Sequence, residues 1–306
     1  MDPPYPSMTS VWHTTTYPAL IPTGQAKDKV IVISGASSGI GRAAAISFAT
    51  AGAKKIALLA RRHNLLDETR NLVQQASADA HISIHAVSTT DGPALKKVAE
   101  EIGKWDVLVL NAGRIIAPES IEQCDVEEWW SVLETNVKGT MHTLSAFLPS
   151  ANANASIDTK PTILGVSAGT ITLPTSAPPN IGASAYNASK TANVKILEHL
   201  ATERQDLHVV NVHPGVVATD LMKLSGMVGK NDEEVESAKK AGFVDDASLP
   251  ADFLVWASTR DAAFLHGKFV FANWDVEQLK NRAKEIGASD VLTNVIKGWP
   301  FSPSTI

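Results

Sequence analysis

Cysteine is almost missing from this chain. Cys124 is the single one in 306 residues, which excludes an intramolecular disulfide and a thiolate zinc cluster. The nine histidines show no H-x-x-x-H or similar ligand spacing, so no metal site is expected. No run of about 18 apolar residues occurs, which argues against a transmembrane helix. Basic residues are not in excess. Lys and Arg total 27 against 32 Asp and Glu, a net charge of −5, so neither nucleic acid nor an anionic membrane is expected as a partner. The opening MDPPYPSMTSVWHTTTYPALIPTG lacks the basic and apolar stretches of a secretory leader. No internal repeat with a period of roughly 20–50 residues stands out, and no linker divides the chain. These absences point to a reduced, cytoplasmic protein.

What is present is an ordinary globular composition, 44% apolar and 19% charged, enough for a sizeable core. Apolar runs at 30–33, 55–60, 81–87, 105–110, 161–166, 207–213 and 267–271 read as strands. Helical stretches fall between or after them at 42–51, 65–76, 93–102, 126–148 (with Asp125 as N-cap), 184–203, 246–258 and 276–286. This alternation predicts parallel βαβ units: an α/β, doubly wound parallel sheet with helices on both faces. Residues 1–27 are rich in Pro, Thr and Ser and read as an extended N-terminal arm. Its Tyr5, Trp12 and Tyr17 would pack either on their own domain, 28–306, or on a neighbouring subunit. Residues 151–160 read as an exposed loop and 287–306 as a C-terminal tail. Residues 221–244 follow a strand end and read as poorly structured, either a substrate lid or a solvated insertion.

Two stretches carry chemistry. In KVIVISGASSGIGR, residues 29–42, a β-branched run leads through Gly35, Gly39 and Gly41 into a helix. A turn without Cβ atoms lets backbone approach a pyrophosphate, and the helix N-terminus offers it free N–H groups. Alone, such a turn is equally a tight βα connection. In YNASK, residues 186–190, Tyr186 and Lys190 lie one helical turn apart on one face. A neighbouring ammonium favours phenolate, which would bring the tyrosine toward the range of a general acid/base. Alone, such a pair is weak evidence and is usually an exposed helix pair.

SGASSGIG at 34–41, NAG at 111–113, Asn136 within ETNVKG, YNASK at 186–190 and HPGVVAT at 213–219 occur in the order of the tyrosine-dependent short-chain dehydrogenase/reductases, which the chain resembles from about Lys29 to Phe271. FLHGKFVFANWDVEQLK and the closing GWPF resemble a fungal branch linked to specialised metabolism. The resemblance implies a single-domain Rossmann-type fold of about seven strands and a set of roles. Gly35, Ser37, Ser38, Gly39, Ile40 and Gly41 would hold the cofactor pyrophosphate and adjoining ribose. Asn111, Ala112 and Gly113 would line the cofactor site, and Pro214, Gly215, Val217 and Thr219 would touch the nicotinamide. Tyr186 would exchange a proton with the substrate oxygen. Lys190 would bind the nicotinamide ribose and lower the Tyr186 pKa, and Asn136 would hold a water in a relay through Lys190.

The catalytic serine departs from the family spacing. Ser167 stands 19 residues before Tyr186, where relatives have about 13 by resemblance. Either Ser167 is catalytic and the loop 170–183 is long, or the catalytic position holds Ala168. Ser176 and Ser184 lie in or after that loop. NAD-dependent members place a carboxylate after the second strand, but this chain has Arg61 and Arg62, which favours NADP(H) over NAD(H). Both arginines also read as plain surface charges. Ser88 replaces an aspartate that often bonds the adenine. His213 reads as structural, and Trp129 and Trp130 as core or interface. A homodimer or homotetramer is implied by resemblance. The leading expectation is an NADP(H)-dependent oxidoreductase acting on the carbonyl/alcohol pair of a small, fairly apolar metabolite. The alternatives are non-redox chemistry (dehydration, isomerisation or cyclisation) or a non-catalytic nucleotide-binding protein. Specificity should lie in 115–118, 170–183, 221–244 and 299–301.

Overall fold

A computed structural model describes residues 1–4, 6–152, 160–226 and 231–296. Seven strands form one parallel sheet: β1 (Val30–Ser34), β2 (Lys55–Ala60), β3 (His81–Ala86), β4 (Val107–Leu110), β5 (Thr162–Val166), β6 (His208–His213) and β7 (Lys268–Phe271), in the order β3-β2-β1-β4-β5-β6-β7. The strands are apolar because both faces are covered. Ile31, Ile33, Val107, Val109, Val210 and Val212 point to one core, while Val32, Leu108 and Val209 point to the other. Helices α1 (Gly39–Thr50), α2 (His63–Ala76) and α9 (Ser248–Ala257) cover the first face. Helices α3 (Gly92–Ile102), α5 (Gly139–Phe147) and α6 (Ser184–Glu203) cover the second. The strand order reverses between β1 and β4, and such a switch point opens a crevice outside the C-terminal strand ends.

The structure departs from the sequence reading in several places. Helix α1 starts at Gly39 rather than Arg42, so the glycine loop itself is its first turn. The stretch 126–148 is not one regular helix. Helix α4 (Val126–Leu133), capped by Asp125 as expected, leads into a π-turn at Glu134–Lys138 before α5. Residues 221–244 are not irregular: α7 (Asp220–Ser225) and α8 (Asp232–Lys240) occupy most of them, with Asn231 capping α8 through Glu234 N at 2.9 Å. Residues 276–286 split at Arg282 into α10 (Val276–Asn281) and α11 (Ala283–Gly287).

The arm packs on its own chain. Trp12 is buried and bridges to Trp274 in antiparallel fashion. His13 stacks on Tyr17 at 3.5 Å and pairs with Asp275 at 2.9 Å. Val276 N donates to Tyr17 Oη at 2.8 Å, and burial raises that phenol's pKa. Part of the tail runs beside the sheet, where Phe269 N donates to Leu292 O at 2.8 Å. Tyr5, most of the 151–160 loop, 227–230 of the 221–244 stretch, and the tail from 297 onward with Trp299–Phe301 lie outside the described residues. Among the described residues, no helix is long and apolar enough to cross a membrane and no cluster of metal ligands occurs.

Candidate active site

The crevice is bolted together by side chains at the strand ends. Ser34 Oγ, where β1 stops, donates to Val109 O at 3.2 Å and accepts from Asn111 N at 3.0 Å and Ala112 N at 3.2 Å. Asn111 Nδ2 donates to Ser34 O and Gly35 O, each at 3.1 Å. Space is so short here that a Cβ on Gly41 would collide with the Gly35 carbonyl oxygen. Gly35 has φ +68°, and its Cβ would lie 2.8 Å from Ala112 Cα. Ser38 precedes α1 without a side-chain capping bond among the described residues, so the first-turn N–H groups remain available to an anion.

One cavity of about 610 Å³ runs along these strand ends. At one extreme it is lined by Arg61, Arg62 and Ser88, in the middle by the glycine loop and Asn111–Gly113, and at the other by Tyr186, Lys190 and Pro214–Thr219. All the expected cofactor residues line it except Gly41, which packs behind the loop. Arg62 Nη2 lies 3.3 Å from Ser38 Oγ and 3.5 Å from Ser37 Oγ, so its guanidinium rests on the glycine loop. Ser88 Oγ is engaged with Thr90 Oγ1 at 2.9 Å.

Ser167 follows directly on β5 and lines the cavity beside Ala168. Its Oγ is buried with no hydrogen-bond partner among the described residues, an unusual cost unless a ligand atom meets it. Ser176 and Ser184 do not line the cavity, and Ser184 Oγ accepts from Trp129 Nε1 at 3.0 Å.

Lys190 Nζ donates to Val166 O at 2.7 Å and lies 5.6 Å from the centroid of the Tyr186 ring. Desolvation acts on Tyr186 in the opposite direction to the neighbouring ammonium. Burial pushes the phenol up to about 12 and pulls the Lys190 ammonium down to about 8, because desolvation penalises each charged form. Asn136 sits within the π-turn and does not reach the cavity lining. It clasps residue 114 instead: Oδ1 accepts from Arg114 N at 2.7 Å, and Nδ2 donates to Arg114 O at 2.9 Å and Ser189 Oγ at 2.8 Å. Asn136 Oδ1 and Lys190 Nζ flank Gly113, at 3.6 and 3.8 Å from where its Cβ would stand.

Two supports stand behind the cavity wall: His213, which the sequence reading took as structural, and Asp245, which sequence reasoning missed. His213 also lines the cavity. Its Nδ1 accepts from Gly169 N at 2.8 Å, and burial lowers its pKa to about 3, so the ring is neutral. Asp245 is buried beneath the Pro214–Thr219 loop. Its Oδ2 accepts from Val216 N at 2.6 Å and its Oδ1 from Asn273 Nδ2 at 3.0 Å. Asn273 Nδ2 also donates to His13 O at 2.8 Å, which links the arm to the loop. No local pattern marks either contact, since the partners lie tens of residues apart.

Comparison with known proteins agrees with this geometry. The family model for short chain dehydrogenases matches residues 29–227. The short chain dehydrogenase andI of Emericella variicolor is 33% identical over 291 residues, covering 92% of this chain and 93% of the relative. Two solved structures share the fold at 21% identity: carveol dehydrogenase from Mycobacterium avium in complex with NAD (TM-score 0.70, 81% of this chain and 97% of that one) and a short chain dehydrogenase from Shigella flexneri complexed with NADP (TM-score 0.67, 82% and 99%). A switch-point crevice floored by a glycine loop, and a fungal relative matching almost end to end, lead to one assignment: the chain belongs to the short-chain dehydrogenases, oxidoreductases that bind nicotinamide cofactors.

Proposed function

We propose that this protein is an NADP(H)-dependent oxidoreductase that interconverts a carbonyl and an alcohol in a small, fairly apolar metabolite, with Tyr186 as general acid and base. The observation that carries this reading is the single cavity joining the glycine loop to Ser167, Tyr186 and Lys190. The residues fit a nicotinamide dinucleotide: Gly35, Gly39 and Gly41 leave no room for a Cβ, and among the described residues α1 has no side-chain cap and Ser167 Oγ no partner.

When bound, the cofactor supplies or accepts the hydride. The first-turn N–H groups of α1, with Ser37 and Ser38, would hold its pyrophosphate. Arg62, with Arg61 beside it, would bind a 2′-phosphate by charge-assisted hydrogen bonds. Ser167 would donate to the substrate oxygen and stabilise the charge that develops there. Tyr186, a phenol and so protonated at neutral pH, would protonate a forming alkoxide. Lys190, tethered at Val166 O, would turn its remaining N–H donors to the ribose. Asn136 holds the 113–114 turn beside it.

Titration of nicotinamide fluorescence with NADPH and NADH, followed by turnover on a ketone panel, tests the reading. Tyr186→Phe should bind NADPH as the wild type does and lose turnover by about 10²–10⁴-fold. Undiminished turnover in that variant would overturn the assignment.

A homodimer or homotetramer pairing through the α4–α5 side is supported by the exposure of Val126 (69%), Trp130 (54%) and Met141 (48%), and sedimentation would measure it. The lone Cys124 supports a place in the cytoplasm.

A further inference from the structure

The loop that follows β5 is longer than the family spacing by resemblance, yet it is internally braced. Asn187 stands next to Tyr186 on α6. Its Oδ1 accepts from Thr170 Oγ1 at 2.7 Å and its Nδ2 donates to Asn180 Oδ1 at 3.0 Å. Asn180 in turn spends its Nδ2 on three carbonyls of the same loop: Thr170 O at 3.1 Å, Leu173 O at 3.3 Å and Pro174 O at 2.8 Å. The far side of the loop is tied as well, with Glu119 N donating to Gly182 O at 3.0 Å. Between these ties, Leu173 and Pro179 present themselves to the cavity. A loop of this length without regular strands or long helices has many conformations to lose on ordering. Here two side-chain amides join the short backbone turns at Gly169–Thr172 and Pro178–Asn180 to each other and to α6.

We propose that Asn180 and Asn187 are positioning residues that set substrate specificity: they lock the 170–183 loop into a preformed wall, and Leu173 and Pro179 on that wall select substrates by shape. The proposal rests on the oxidoreductase reading for the identity of the site, but its mechanical content does not need turnover. A fixed wall rejects a substrate one ring too large, whereas a slack wall yields to it. Asn180 is the informative position because it does not line the cavity. Asn180→Ala removes the brace. Asn180→Asp keeps the shape and the acceptor for Asn187 but cannot donate to the three carbonyls.

The test uses the full chain saturated with NADP⁺, where no ketone can be reduced, and measures binding of cyclic ketones of one, two and three fused rings. In parallel, hydrogen exchange is followed at 170–183. The wild type should show a steep size cut-off, about tenfold or more between successive members where the wall is reached, with slow exchange across the loop. Asn180→Ala and Asn180→Asp should both flatten the cut-off and speed exchange at 170–174, with NADP⁺ affinity unchanged. Wild-type selectivity in Asn180→Asp would overturn the proposal, since it would mean that the side chain merely fills space. Fast loop exchange in the wild type would overturn it too. Turnover of the same ketones with NADPH is read separately: failure there, with the size cut-off present and lost in both variants, would strike the oxidoreductase reading and leave the wall standing.

Discussion

Where β1, β2 and β4 end, the wall of the cavity is largely main chain: the Gly35–Gly41 loop, the first turn of α1 and the 111–113 turn, held by Ser34 and Asn111. Where β5 and β6 end, the wall is made of side chains on a braced loop and on the six-residue helix α7, including Leu173, Pro179, Leu221 and Met222. The first end positions donors through backbone geometry and has no slack. The second can change its lining without disturbing the sheet. A dinucleotide common to a family suits the first kind of wall, and substrates that differ between members suit the second. The contrast is mechanical, so it can be broken by substitution.

The largest effect is expected at Gly41. An alanine there would drive its Cβ into the Gly35 carbonyl and to 2.6 Å from Asn111 Nδ2. Neither group can yield without moving the end of β1 or the turn after β4. Gly41→Ala should weaken NADPH binding by more than about 100-fold, in line with the 1–3 kcal/mol or more that overpacking costs. Calorimetric titration checks it, and an unchanged affinity would show that the glycine end has slack after all.

Ser167 sits at the boundary between the two ends. Ser167→Ala should lower kcat by about 10²–10³-fold, as loss of one oxyanion donor does, while NADPH affinity holds. Stability gives a second, opposite readout. The hydroxyl is buried without a partner among the described residues, so removing it should leave the melting temperature equal or higher. An unchanged kcat would move the donor role to another hydroxyl, with Thr170 the nearest candidate in sequence.

The same contrast decides what the sequence disclosed. The glycine loop and the Tyr186–Lys190 pair are local patterns, and both stand where they were expected. The π-turn around Asn136 was not legible, because an i→i+5 register depends on what the helix packs against. Helices α7 and α8 lacked a clear apolar face among charged residues and glycines. The folding of the 170–183 loop on Asn180 was not legible either, because it depends on side-chain amide contacts that no local pattern marks. For Tyr186 the sequence names the neighbouring ammonium but not the loss of water around both groups, which acts the other way.

Asp245 tests the support beneath the Pro214–Thr219 loop. Burial pushes its carboxyl up to about 6 from the ordinary 3.8, despite hydrogen bonds from Val216 N and Asn273 that act the other way. The folded state therefore holds the proton more tightly than the unfolded chain. The favourable contribution is complete below pH 4 and is lost as pH rises through 6, a change on the order of 3 kcal/mol for one fully coupled group. Chemical denaturation of wild type and Asp245→Asn at pH 4 and 7 should show the wild type losing up to that much relative to the variant. A pH-independent difference would mean that the Val216 contact already holds Asp245 ionised throughout.

The smallest effect belongs to Arg62, a side-chain device at the backbone-built end. The guanidinium is exposed and rests on Ser38 Oγ at 3.3 Å. Arg62→Ala should weaken NADPH by about tenfold, the loss of one charge-assisted contact, and leave NADH unaffected because no main-chain donor moves. Arg61→Ala added to it should lower the NADPH/NADH preference again. Fluorescence titration with both cofactors gives the ratio directly. If NADH and NADPH weaken together, Arg62 acts by steadying the glycine loop through Ser37 and Ser38. The two ends of the cavity would then differ less than their walls suggest, since even the backbone end would depend on a side chain to keep its shape.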